Sequence, residues 1–179
     1  MRIQSIAVFC GSQSGRNGFF ENHAKILGEI LARQQVKLVY GGGNVGLMGV
    51  VANSVLKGRG EVVGVIPHIL DKPERAHHGL TELIVVEDMH TRKRKMYELC
   101  DAAIILPGGY GTLDEFFELV TWNNLSIHDK HIFILNSEGF YDHLLAHIET
   151  MYQQTFLYEN PFQRLTILSQ PEGLLPYLR

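Results

Sequence analysis

The sequence predicts an α/β protein in which a doubly wound, parallel sheet fills a single domain. Short β-branched or apolar runs alternate along the chain with longer stretches of helical period. The runs are continuously apolar, as in AAIIL (Ala102–Leu106) and VVGVI (Val62–Ile66), which a sheet covered on both faces requires. Three of the runs close on a glycine-rich turn before the next helical stretch begins.

In chain order, the run Ile3–Cys10 ends at Gly11 and leads to a helix near Phe19–Gln34. Lys37–Tyr40 ends at Gly41 and leads to a helix near Leu47–Lys57. Val62–Ile66 opens onto the least regular stretch, Pro67–Gly79, which reads as a long strand-to-helix excursion. Long loops in compact domains are often functional. Leu83–Val86 passes over Asp88, a ready helix cap, into a helix near His90–Leu99. Ala102–Leu106 ends at Pro107-Gly108-Gly109 ahead of a helix near Leu113–Leu125, and Ile132–Leu135 precedes one near Tyr141–Gln153. A late strand, Leu165–Leu168, and a short helix near Glu172–Leu178 complete the series. No repeat, low-complexity tract or linker interrupts it, so one domain, 1–179, is expected.

Composition excludes several function classes. The chain has 179 residues, 45% of them hydrophobic and 20% charged, within the ordinary globular range. A fold of this length buries roughly 70% of its unfolded surface and needs no disulfide or structural metal. A net charge of −3 supplies no general attraction to nucleic acid or an anionic membrane. Cys10 and Cys100 stand far apart without a CxxC, against a disulfide scaffold or zinc module and in keeping with a cytoplasmic protein. No apolar run is long enough for a signal-peptide core or a membrane span.

Glycine is the one excess, 18 residues, and its placement points to function. Cys10–Gly15, Gly41–Gly46 and Pro107–Thr112 each follow a strand and precede a helix, so all three belong on one edge of the sheet. Glycine lets a ligand approach the backbone, and the helix start behind it offers free N–H groups. Gly11, Ser12, Gly42 and Gly43 are therefore candidates for holding a phosphorylated ligand, with Ser14 a further donor. Gly41, Gly43 and Gly46 also match G-x-G-x-x-G, but Glu61, about 20 residues on, precedes its strand and would lie at the wrong edge to reach a ribose. No NTPase P-loop occurs.

Two charged clusters remain. Thr112 and Glu115 have the spacing of a capping box, each side chain bonding the other's backbone N–H. The alternative is that Glu115 faces the crevice as a general base or transition-state stabiliser, and Asp114 and Glu118 compete for that role. Arg92, Lys93, Arg94 and Lys95 crowd the start of a helix, where the dipole disfavours cations. Arg92 shares a face with Met96 and Leu99 and should look inward toward an anion, whereas Arg94 and Lys95 point elsewhere. His143 and His147 lack the acid of a zinc motif and read as surface residues; Cys10 reads as core; no metal is expected. Phe116, Phe117 and Trp122 suit either core packing or a subunit interface.

These segments, PGGYGTLDE (Pro107–Glu115), GGGNVGLMG (Gly41–Gly49), FCGS (Phe9–Ser12) and EDMHTRK (Glu87–Lys93), resemble the LOG ("lonely guy") family over nearly the whole chain. Its members are cytokinin riboside 5′-monophosphate phosphoribohydrolases, often mislabelled lysine decarboxylases. The resemblance implies a Rossmann-like homodimer that hydrolyses the N-glycosidic bond of an N6-modified AMP, releasing free base and ribose 5-phosphate, with no cofactor. It implies Arg92 and Glu115 as the catalytic pair and Gly108, Gly109, Tyr110, Gly111 and Thr112 as the phosphate loop. Lys93 and Thr121 fall at substrate-binding positions, and Glu74 does so by spacing. A general AMP or purine nucleotide nucleosidase and a non-catalytic nucleotide sensor are the competing expectations; pyridoxal phosphate chemistry lacks a lysine singled out for a Schiff base.

Overall fold

A computed structural model describes residues 3–72 and 75–178. Seven strands, β1 (Ser5–Phe9), β2 (Lys37–Tyr40), β3 (Val62–Pro67), β4 (Glu82–Val86), β5 (Ala102–Ile105), β6 (His131–Leu135) and β7 (Leu165–Leu168), form one sheet in the order 4-3-2-1-5-6-7. Every neighbouring pair is parallel. The chain steps outward from β1 to β4, returns to β5 beside β1, and steps outward again, so the order reverses between β1 and β5. Doubly wound sheets bind ligands at that reversal, beyond the carboxyl ends of the strands.

Five α-helices cover the faces: α1 (Gly18–Arg33), α2 (Gly46–Lys57), α3 (Met89–Glu98), α4 (Tyr110–Asn124) and α5 (Asp142–Gln153). Alternation along β1 divides two cores. Ile6, Val8 and Cys10 pack with Leu27, Leu31, Val51 and Val55 of α1 and α2, while Ala7 and Phe9 pack with Met96, Phe116, Leu119 and Ile148 of α3, α4 and α5. None of these helices is long and apolar enough to cross a membrane.

Predicted and observed elements agree within a few residues except in three places. The stretch after β3 connects strand to strand, not strand to helix, and opens with a single 3-10 turn at His68–Leu70. The late helix is a 3-10 segment, Pro171–Tyr177, with a proline at each end of it limiting regular α-helix. Helix α4 begins at Tyr110, three residues before its predicted start.

The excursion after β3 folds back over the second glycine loop. Gly43 and Ala76 form an isolated antiparallel bridge, Asn44 N donates to Arg75 O at 2.8 Å, and His77 N donates to Gly42 O at 2.9 Å. The His77 ring braces this return: Nδ1 accepts from Gly79 N at 3.1 Å, which leaves Nε2–H to donate to Asn53 Oδ1 at 3.1 Å. Burial holds the His77 pKa below the usual histidine range, in keeping with that neutral form.

Candidate active site

The three glycine loops meet at the carboxyl edge of the sheet. Gly11 N donates to Pro107 O at 3.0 Å, and Leu47 N donates to Gly11 O at 3.1 Å. At Gly46, with φ +57°, a Cβ would stand 2.3 Å from the carbonyl carbon of Ser12, so only glycine lets the first and second loops cross there. A cleft of about 390 Å³ opens beside this crossing, lined by Ser12, Gln13, Gly41, Gly43, Val45, Met48, Ile66, Leu70, Arg75 and Arg92. A second cleft of about 270 Å³ lies across Ser12 and Gln13, between Gly108, Phe20 and Phe140.

Arg92 reaches the first cleft from α3. Asp88 caps that helix by accepting from Thr91 N at 2.7 Å, which sets the first turn so that Arg92 and Met96 face inward. Arg92 Nη1 donates to Glu115 Oε1 at 3.0 Å and Nε donates to Val65 O at 3.1 Å. Both side chains of the pair are about nine-tenths buried, at 10% and 9% exposed. A Cβ on Gly41 would lie 1.9 Å from Arg92 Nη2, so the absent side chain at Gly41 is the seat of the guanidinium. Burial raises the Glu115 pKa to about 7, against the opposing pull of Arg92. A carboxyl poised near neutrality beside a fixed cation is suited to act as a base or to stabilise developing positive charge. Burial also pushes the nearby Cys10 thiol far above its ordinary range, so Cys10 is a core residue and no thiolate nucleophile.

The capping-box expectation for Thr112 and Glu115 does not hold. Gly109 is the N-cap of α4, no side chain caps it, and Thr112 and Glu115 lie inside the helix. Both are thereby freed for other contacts: Thr112 lies against Gly108, where a Cβ would stand 2.1 Å from Thr112 Oγ1, and Glu115 turns to Arg92. A Cβ on Gly109 or Gly111 would meet nothing within 4 Å, so the backbone at the start of α4 is open to approach. Tyr110 is almost fully exposed there.

The acids near Glu115 are also sorted by the geometry. Asp114 and Glu118 both pair with Lys93, which is buried, and Arg94 is exposed while Lys95 pairs with Glu98 at 3.5 Å. Burial lowers the Lys93 pKa but its bonds to Glu118 and Asp114 outweigh that, leaving it above the ordinary lysine range. Thr121 is not brought to the Arg92 cleft; it lines an apolar cleft between α4 and α5, with Phe117, Val120 and Met151. Glu74 lies outside the described residues. Phe116 is core, Phe117 is 39% exposed, and Trp122 meets Tyr97 edge-on at 4.8 Å. His143 and His147 are exposed, and Glu61 sits at the far edge, 3.7 Å from Lys37. Three contributors went unread in the sequence: Gly41 as the arginine's seat, Tyr97, whose hydroxyl donates to Glu115 O at 3.2 Å, and the apolar wall of Val45, Met48 and Leu70.

Residues 48–178 match a family model described as "Possible lysine decarboxylase". The chain is 46% identical over 177 residues to the cytokinin riboside 5′-monophosphate phosphoribohydrolase of Rhodococcoides fascians, covering 98% of this chain and 89% of that one. It is 42% identical over 172 residues to an Arabidopsis thaliana protein of the same name, covering 96% and 80%. Among solved structures, a molybdenum cofactor binding protein from Rippkaea orientalis matches with a TM-score of 0.73 at 22% identity, covering 98% of this chain and 95% of that one. That likeness concerns the fold.

Proposed function

The chain belongs to the LOG family, and from that premise we propose that it hydrolyses cytokinin riboside 5′-monophosphates to the free base and ribose 5-phosphate. The observation that carries the reading is the buried Arg92–Glu115 pair at the edge of a cleft built from glycine loops. The phosphate is assigned to the start of α4, where Gly109, Tyr110, Gly111 and Thr112 present uncapped backbone N–H groups at the positive end of a 15-residue helix. Gly11, Ser12, Gly42 and Gly43 complete the surrounding loops. With the phosphate fixed, departure of the base leaves positive charge on the ribose and negative charge on the purine. Glu115 stabilises the sugar cation and takes the proton of the attacking water, the hydroxyl bonds to the ribose, and that proton passes to the departed purine to give the neutral free base; Arg92 orients Glu115 and balances the charge of the base as it leaves. Val45, Met48, Ile66 and Leu70 give the cleft an apolar wall beside Arg92, which favours a substrate whose base carries an apolar N6 substituent over plain AMP.

A homodimer is part of the proposal. Phe117, Leu125 and Ile127 are exposed on or just beyond α4, next to the apolar cleft that Thr121 lines. Light scattering on the purified protein tests it, with twice the chain mass expected. The activity is tested by incubating the protein with AMP and with isopentenyladenosine 5′-monophosphate and separating the products. Faster release of base from the isopentenyl substrate is expected. Binding of both nucleotides without release of either base overturns the reading in favour of a sensor.

A further inference from the structure

The start of α4 receives the phosphate in the proposed reaction, yet no side chain caps it and two glycines, Gly108 and Gly109, lead into it. The direction in which its N–H groups point is therefore set from outside the helix. Both carbonyls ahead of the glycines are held. Pro107 O accepts from Gly11 N of the first glycine loop at 3.0 Å, and Leu106 O accepts from the hydroxyl of Tyr141 at 2.7 Å. Tyr141 stands at the head of α5, 35 positions beyond Leu106 in the chain. It is 3% exposed, and Phe140 meets its ring edge-on at 4.8 Å. Asn136, just past β6, seats it: Oδ1 accepts from Tyr141 N at 2.7 Å, while Nδ2 donates to Asp142 Oδ1 at 2.7 Å. Burial holds the phenol well above the ordinary tyrosine range, so it keeps the proton that it donates, and the Gly108 N–H faces the same oxygen.

We infer that Tyr141 is a positioning residue for the phosphate: its hydroxyl fixes the peptide between Leu106 and Pro107 and so aims the N–H groups at the start of α4 before the ligand arrives. The inference rests on the phosphate lying at that helix start, as the proposed function has it. Anchors on two successive carbonyls leave the turn little freedom ahead of Gly108. There a Cβ would stand 2.1 Å from Thr112 Oγ1 and 2.9 Å from Gly11 N, so the glycine is confined by its neighbours and not by its own preference. Without the hydroxyl, the carbonyl of the fully buried Leu106 is unpaired, and the turn shifts to find another donor. Glu115 is spared, because Arg92 and Tyr97 of α3 tether it separately. Loss of the hydroxyl therefore loosens the grip on phosphate and leaves the Arg92–Glu115 pair in place.

The test sets Tyr141→Phe, which removes one oxygen from a buried ring, beside Ile148→Val, which trims the buried face of the same helix about two turns further on. Turnover of isopentenyladenosine 5′-monophosphate is measured, together with calorimetric binding of ribose 5-phosphate for the phosphate end and of isopentenyladenine for the base end. For Tyr141→Phe the ribose 5-phosphate Kd should weaken about tenfold and KM should rise about as much, with kcat and the isopentenyladenine Kd within about threefold of wild type. Ile148→Val should lower Tm and leave both dissociation constants unchanged. Three results overturn the inference alone: ribose 5-phosphate bound by Tyr141→Phe as by wild type, isopentenyladenine binding weakened equally in that variant, or the same loss in Ile148→Val. If Tyr141→Phe does not fold, Asn136→Ala decides, since it frees the Tyr141 main chain and should weaken ribose 5-phosphate binding in the same way; unchanged binding there overturns the inference. Absence of base release by the wild type overturns the proposed function first, and if the wild type does not bind ribose 5-phosphate either, the inference falls with it.

Discussion

Glu115 is held between two opposing influences, and its chemistry follows from their balance. Burial disfavours its charge, Arg92 favours it, and the result is a pKa of about 7. If the ionised form is the active one, kcat/KM for a nucleotide substrate rises with pH through about 7 and then levels. Arg92→Met removes the favourable partner, so the residual activity of that variant should have its acid limb at still higher pH. Glu115→Ala should lower turnover by roughly 10²- to 10⁴-fold while nucleotide binding persists, which equilibrium binding and product release measure separately. Gly41→Ala acts on the same pair. Its Cβ would occupy the space of Arg92 Nη2 and push the guanidinium off the buried Glu115 and Val65 O that hold it. Turnover should therefore collapse and stability fall together, by roughly 1–3 kcal/mol, which a product assay and a melting curve measure.

Between elements, α1 and α2 approach tightly at Gly28. A Cβ on Gly28 would lie 2.6 Å from Ser54 Cβ and 2.7 Å from Val51 O. Alanine is the better helix former by about 1 kcal/mol, but overpacking against a backbone oxygen costs roughly 1–3 kcal/mol. Gly28→Ala should thus lower Tm by a few degrees, where helix propensity alone would raise it. The elements themselves were legible because strands buried on both faces write continuous apolar runs, such as Ala102–Leu106, that no amphipathic helix produces. The start of α4 was not. Tyr110 and Gly111 carry no helix signal, and Thr112 with Glu115 imitates a cap, so the true beginning at Tyr110, behind the Gly108-Gly109 pair, is hidden. Within the site, the inward turn of Arg92 could be read from its spacing to Met96, and the meeting of the glycine loops at one sheet edge from their place after strands. The enclosure of Lys93 could not, because the acids that enclose it lie 21 and 25 positions further along the chain and only the packing of α4 on α3 brings them there.

For the molecule as a whole, the raised pKa of Glu115 implies a pH dependence of stability. Its folded pKa lies above its ordinary value of 4.5, so the folded state holds that proton more tightly than the unfolded chain. The corresponding stabilisation is present below about pH 4.5 and is lost as pH rises through about 7. His77, His128 and His131 act in the opposite sense, since burial lowers each pKa and their contribution is lost on acidification. Comparing wild type with Glu115→Gln cancels the histidines: melting scans should show the stability of wild type relative to the variant falling between pH 5 and 8. A relative stability that rises over that interval would contradict the burial of an ionisable Glu115. The return of the chain over the second glycine loop has a different kind of consequence. That cover is hung from main-chain bonds, at Gly43 and Ala76, Asn44 and Arg75, and Gly42 and His77. Leu70 and Arg75 line the cleft, and the bond from Asn44 to this segment is made to the main-chain oxygen of Arg75, not to its side chain. Evolution or an engineer could exchange them one at a time, reshaping the mouth of the cleft, while the suspension of the cover and the Arg92–Glu115 pair stay as they are.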